Sequence, residues 1–223
     1  MKITGFTPNS FVDYPNNIAA VVFLGRCNFD CWFCHNKWML KSKKMFDESY
    51  ILNKIKDNAS FLDAVVISGG EPTLEDSQKL IEFIKKIKAM GLKVKLDTNG
   101  TNPKKLEELL PYVDYVAMDI KSPLSKYREI TCIDDRELLA IKKSIDMLMN
   151  GSVEYEFRTT FLPTLKTEDI LEIAHTIKGC KKYYLQQYVP VEGYEGVAPH
   201  PPKYIKKTCE MIQKILPCEI RGL

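Results

Sequence analysis
Six β-then-α units follow one another along this chain, and that alternation restricts its fold more than any other feature. Short runs rich in Val, Ile, Tyr, Phe or Leu at 19–23, 64–68, 93–97, 115–119, 154–160 and 183–188 read as mostly buried strands. Amphipathic helical patterns lie between them, near 49–58, 75–90, 103–110, 136–150 and 167–178, and a last helix is expected at about 203–216. Within the second, Leu80, Ile81, Ile84 and Ile87 make one apolar face, and Gly91 sits where a C-terminal cap belongs. Consecutive βα units build a parallel sheet through right-handed crossovers. The expected fold is therefore α/β, either an open doubly wound sheet or a curved partial barrel. No linker or composition shift divides residues 1–223, so a single domain is expected, with a core at about 13–190 and a C-terminal loop and helix at about 191–223.

Composition removes several functions. The chain of 223 residues carries 32 basic and 29 acidic side chains, a net charge of +3, and its basic residues are dispersed, with Lys41, Lys43 and Lys44 as the densest group. That is too weak a field to argue for nucleic acid. The longest apolar run near the start, 18–24, is far short of the roughly 20 residues of a membrane span. The first residues lack a signal-peptide core. A cytoplasmic protein without membrane contact is expected, in which the seven cysteines are reduced thiols or metal ligands. Their odd number also argues against a disulfide framework.

In a parallel α/β sheet the functional loops lie at the C-terminal ends of the strands. The unusual polar residues sit there: Cys27-Asn28-Phe29-Asp30-Cys31, Gly69-Gly70-Glu71-Pro72, Asp97-Thr98-Asn99-Gly100, Asp119-Ile120-Lys121, and Arg158 late in its strand. Cys27, Cys31 and Cys34 have the spacing C-x3-C-x2-C, and three soft thiolates within eight residues close on one soft metal centre. A zinc site with His35 or a distant cysteine as fourth ligand is one reading. Cys132, Cys180, Cys209 and Cys218 are scattered and form no second pair. The other reading is a 4Fe–4S cluster, which normally takes four cysteines; three leave one iron open to a substrate or cofactor.

The cysteine spacing joined to Gly69-Gly70-Glu71-Pro72 resembles the radical S-adenosylmethionine (radical SAM) superfamily. Cys34-His35-Asn36, Asp97-Thr98-Asn99-Gly100 and Met118-Asp119-Ile120-Lys121 resemble the activating enzymes of glycyl radical enzymes. Asp13-Tyr14-Pro15, Tyr155-Glu156-Phe157-Arg158-Thr159-Thr160 and Leu185-Gln186-Gln187-Tyr188 resemble one branch, the anaerobic ribonucleoside-triphosphate reductase activating proteins. The resemblance implies a partial (β/α)6 barrel with a short C-terminal helical extension. It implies a 4Fe–4S cluster on Cys27, Cys31 and Cys34, S-adenosylmethionine as cofactor, and a 5′-deoxyadenosyl radical that takes a hydrogen atom from a glycine. It implies two partners: a glycyl radical enzyme, here anaerobic ribonucleotide reductase, and an electron donor such as flavodoxin or ferredoxin.

Residue roles follow from the same resemblance. Gly69, Gly70 and Glu71 would hold the methionine end of the cofactor and Phe33 would lie along its adenine. Lys121 and Arg158 would face its carboxylate, and Asp119 a ribose hydroxyl or a cation. Asp97, Thr98, the carbonyl of Ala117 and Asp119 would bind a monovalent cation. Each residue also has a plainer reading: Glu71 as a helix N-terminal charge, Asp119, Lys121 and Arg158 as a buried ion pair, Tyr14 and Asp13 as packing and not a peptide entrance. The sequence departs from its relatives at Val189, where pyruvate formate-lyase activating enzymes carry a histidine, and at Arg26, before the first cysteine. Two other functions stay open: a small-molecule radical enzyme such as a 7-carboxy-7-deazaguanine synthase, and a zinc-bound scaffold module.

Overall fold
A computed structural model describes all residues from Met1 to Leu223. Contacts divide the residues into two compact units. The first comprises Met1–Asn28, Asn36–Thr98 and Asn102–Ala117. In it β1 (Ile3–Ser10) lies antiparallel to β2 (Ala19–Leu24), while β2, β3 (Ala64–Gly69) and β4 (Lys93–Thr98) pair in parallel. The runs Ala-Ala-Val-Val and Ala-Val-Val-Ile are apolar at successive positions because both faces of these strands are covered. The helices are α1 (Lys37–Lys41), α2 (Glu48–Asp57), α3 (Ser77–Lys88) and α4 (Pro103–Leu109). Asp76 starts α3 by accepting from the Lys79 amide at 2.9 Å. Leu80, Ile81, Phe83, Ile84 and Ile87 form its buried stripe, and Gly91 follows its end at φ +81°. Tyr14 packs into a core with Ala19, Val21, Ala64, Val66 and Tyr115, its ring 5.4 Å from that of Tyr115. Burial, then the Asp114 charge, pushes its phenol up to about 12.

The boundary between the units falls within β5 (Tyr115–Asp119), after Ala117. The second unit comprises Phe29–His35, Asn99–Thr101 and Met118–Leu223. It contains β6 (Glu154–Phe161), β7 (Tyr183–Gln187) and β8 (Cys218–Arg221), paired in parallel in that order. Its helices are α5 (Tyr127–Thr131), α6 (Asp135–Asn150), α7 (Thr167–Thr176) and α8 (Pro202–Ile212). A capping box of Asp134 and Glu137 opens α6, which buries Ile141, Ser144, Ile145 and Leu148.

The six strands read from the sequence are β2 to β7, each followed by helix, and the α/β fold class stands. Two strands are additional. β1 holds Gly5 and Pro8, a turn-like composition that an edge strand tolerates because half its ladder is unpaired. β8 is four residues long, so the C-terminal extension ends in a strand as well as a helix. No helix is long and apolar enough to cross a membrane.

Candidate functional site
In the first unit three strand exits carry the expected residues. The chain leaves β2 through Gly25-Arg26-Cys27 and leaves β3 through Gly69-Gly70-Glu71-Pro72, and the two exits touch backbone to backbone. The Gly70 amide donates to Leu24 O at 2.7 Å and the Glu71 amide to Arg26 O at 2.6 Å. A Cβ on Gly70 would lie 2.0 Å from Arg26 O, and Gly69, at φ +108°, would meet the Leu24 amide at 2.4 Å. Both glycines are thus demanded by close approach. Position 26 matters through its carbonyl, while its side chain is exposed. Asn36 Nδ2 donates to Gly69 O at 3.1 Å, which ties the stretch after the third cysteine to this turn. Cys27 lines a cavity of about 420 Å³ with Gly25, Arg26, Leu40 and Leu74.

Glu71 is fully buried and directed back into the protein. Its Oε1 accepts from the Thr73 amide at 3.0 Å, the Thr73 hydroxyl at 2.6 Å and the Thr98 hydroxyl at 2.8 Å. It caps the short helix Pro72–Leu74 and links the ends of β3 and β4. At the end of β4, Asp97 Oδ1 is paired with the ammonium of Lys95, and Oδ2 accepts from the Ser68 hydroxyl at 2.9 Å. Lys95 is wholly buried. Sequence reasoning gave neither Asn36 nor Lys95 a role. For Lys95 the signal was available: a lysine inside an apolar strand, two residues before an aspartate and so on the same face.

In the second unit the segment Cys31 to Cys34 forms a tight turn, with the Cys34 amide donating to Cys31 O at 3.3 Å. Cys31 is buried and Cys34 half-buried. Trp32 anchors the turn: its ring lies 5.6 Å from Phe33, 5.7 Å from Tyr188 and 5.1 Å from Tyr194. Phe29 meets Tyr127 edge-on at 6.4 Å. The ammonium of Lys121 stands 6.0 Å over the Phe33 ring and 3.0 Å from Asp119 Oδ2. Arg158 Nε donates to Asp119 Oδ1 at 2.9 Å. One carboxylate therefore holds both expected cations. Burial alone would raise the Asp119 pKa, but Arg158 and then Lys121 hold it well below the usual carboxylate range. Burial works against the Lys121 charge, and Asp119 and then Cys31 outweigh it, so that the ammonium is kept above its ordinary value. The Lys121 amide donates to Tyr127 Oη at 2.9 Å, and burial drives that phenol upward.

The sequence places three soft thiols, Cys27, Cys31 and Cys34, within eight residues after β2. The Radical SAM superfamily pattern matches residues 21–177, from β2 to the end of α7. The chain is 42% identical over 200 residues to a Methanocaldococcus jannaschii protein that carries the name of a glycyl-radical enzyme activating enzyme, covering 86% of this chain and 82% of that one. The chain belongs to the radical SAM superfamily, among the glycyl-radical enzyme activating enzymes. It is also 30% identical over 198 residues to the pyruvate formate-lyase-activating enzyme of Clostridium pasteurianum, covering 85% and 81% of the two chains. The solved structure of TYW1 with a lysine-pyruvate adduct bound superposes on 88% of this chain and 73% of its own at a TM-score of 0.66 and 18% identity, a likeness of fold alone. As a radical SAM enzyme the chain works with S-adenosylmethionine and a 4Fe–4S cluster.

Proposed function
We propose that this radical SAM enzyme takes a hydrogen atom from a glycine of an anaerobic ribonucleoside-triphosphate reductase, in the cytoplasm, with flavodoxin or ferredoxin as electron donor. Residues 1–223 act as one domain. The observation that carries the reading is the 42% identity to an activating enzyme across most of both chains. Asp13-Tyr14-Pro15 and Leu185-Gln186-Gln187-Tyr188 support the reductase branch.

Cys27, Cys31 and Cys34 hold the cluster. When bound, the cluster and S-adenosylmethionine would supply a one-electron reductive cleavage of the cofactor and with it a radical able to take the glycine hydrogen. The protein binds, orients and shields. Lys121 and Arg158, fastened to Asp119, present fixed positive charge to the cofactor carboxylate. Phe33 would lie along the adenine. The Gly69-Gly70 backbone receives the methionine end, with Glu71 bracing the turn from behind. Holding the target carbon against the reacting centre with water excluded confines an indiscriminate radical to one C–H bond.

The test is to mix the reconstituted protein with the reductase, S-adenosylmethionine and a reductant without oxygen, and to record the electron paramagnetic resonance spectrum. A doublet that collapses when the glycine α-hydrogens are deuterated is expected. Turnover triggered only by a small molecule, with no protein radical on the reductase, would overturn the reading.

A further inference from the structure
We propose that the ammonium of Lys95 is a built-in cation at Asp97 and stands in for the monovalent metal ion that the family resemblance implies. The inference rests on reading these strand ends as the S-adenosylmethionine site, and it concerns how that site is neutralised. The expected metal ligands suit a further cation poorly, because both carboxylates among them already carry cationic side chains. Asp97 carries the Lys95 ammonium on one oxygen and the Ser68 hydroxyl on the other. Asp119 carries Arg158 on one oxygen and Lys121 on the other. The Thr98 hydroxyl donates its proton to Glu71. The two aspartates thus hold three cationic side chains, and a metal ion would add positive charge to carboxylates that are already compensated.

The position of Lys95 explains why its ammonium is not exchanged for a metal. β3 and β4 are in register with Val66 opposite Lys95, and β2 and β3 with Val21 opposite Val66. The stem of Lys95 therefore starts level with an apolar layer of the sheet, and its head reaches Asp97 one residue pair further along the same face. The residue has no exposed surface. An ammonium in such surroundings is held by its carboxylate, because removing it to water would take away the opposite charge that compensates the largely buried Asp97 carboxylate. It is also tethered, so its local concentration exceeds that of any free ion. A metal of low charge and fast exchange has no comparable hold.

The experiment measures the dissociation constant of S-adenosylmethionine and the thermal midpoint of the reconstituted protein in KCl, NaCl and choline chloride at equal ionic strength. For the wild type both quantities should be the same in all three salts. A saturable gain of affinity or midpoint in KCl or NaCl over choline overturns the proposal. Lys95→Met keeps the side-chain length and removes the charge. In choline it should bind the cofactor about tenfold more weakly, the loss of one charge-assisted interaction, and K+ or Na+ should restore binding. A folded Lys95→Met that binds equally well in every salt also overturns it. Lys95→Arg retains the charge and should stay indifferent to the salt, which decides the matter if Lys95→Met does not fold. The midpoint readout needs no cofactor, so it stands even if cofactor binding fails and the site reading falls.

Discussion

Arg221, in the last strand, clasps Glu156, in β6, with both terminal nitrogens of its guanidinium: Nη1 to Oε1 at 2.7 Å and Nη2 to Oε2 at 2.8 Å. The guanidinium lies 3.3 Å over the ring of Tyr184 in the strand between them. Glu156 has no exposed surface, and a planar fork is the donor that satisfies both its oxygens at once. Arg221→Ala should therefore destabilise the protein by about 3 kcal/mol, the low end for a broken buried pair because Arg221 keeps some surface in water. Arg221→Met with Glu156→Gln should cost less than the single change. Urea denaturation of the three proteins checks this. Equal losses for the single and double variants would mean that the pair does not fasten β8.

Alanine at Cys27, Cys31 or Cys34 should abolish cluster-dependent release of methionine after dithionite reduction, because no solvent thiol restores a missing ligand with the same geometry. Alanine at Cys132, Cys180, Cys209 or Cys218 should leave it intact. Burial pushes the Cys180 thiol up to about 11 and raises Cys209 and Cys218 as well, so these three are poor thiolates at neutral pH. Methionine per protein and iron content are the measurements. Wild-type turnover by Cys34→Ala would remove the cluster assignment.

Lys121→Ala and Arg158→Ala should each weaken S-adenosylmethionine binding by roughly 10- to 150-fold while the iron content is retained, as expected for losing a charge-assisted bond. Because both cations share Asp119, their effects should not add. Titration of the oxidised, reconstituted variants gives the constants. Loss of iron in either would assign the residue to structure and not to cofactor binding.

Gly70→Ala should separate the exits of β2 and β3, since its Cβ would fall 2.0 Å from Arg26 O and that neighbour is backbone. The expected result is a protein that folds but retains iron poorly, because Cys27 follows Arg26 directly. Circular dichroism and iron analysis of the purified variant test it. Full iron content with normal cofactor affinity would show that the turn tolerates a side chain.

Much of the fold was legible from residue order, because its signals are local. Alternation of apolar strands with amphipathic helices specifies the α/β class and six of the eight strands. The spacing of Cys27, Cys31 and Cys34 is what proposes them as soft metal ligands. Placing Asp119 and Lys121 two residues apart on a strand puts them on one face before any tertiary contact is known. β1 and β8 were not legible, since a strand with Gly5 and Pro8 and another of four residues are stabilised by the neighbour they pair with, not by their own composition. The tertiary structure alone decided which partner each charge takes. Glu71 turns inward to Thr73 and Thr98, Arg158 reaches Asp119 across 39 residues, and Lys95 is buried against Asp97. A charge pairs with whatever the fold brings near it after water is removed, and that distance is a property of the packed chain, not of residue order.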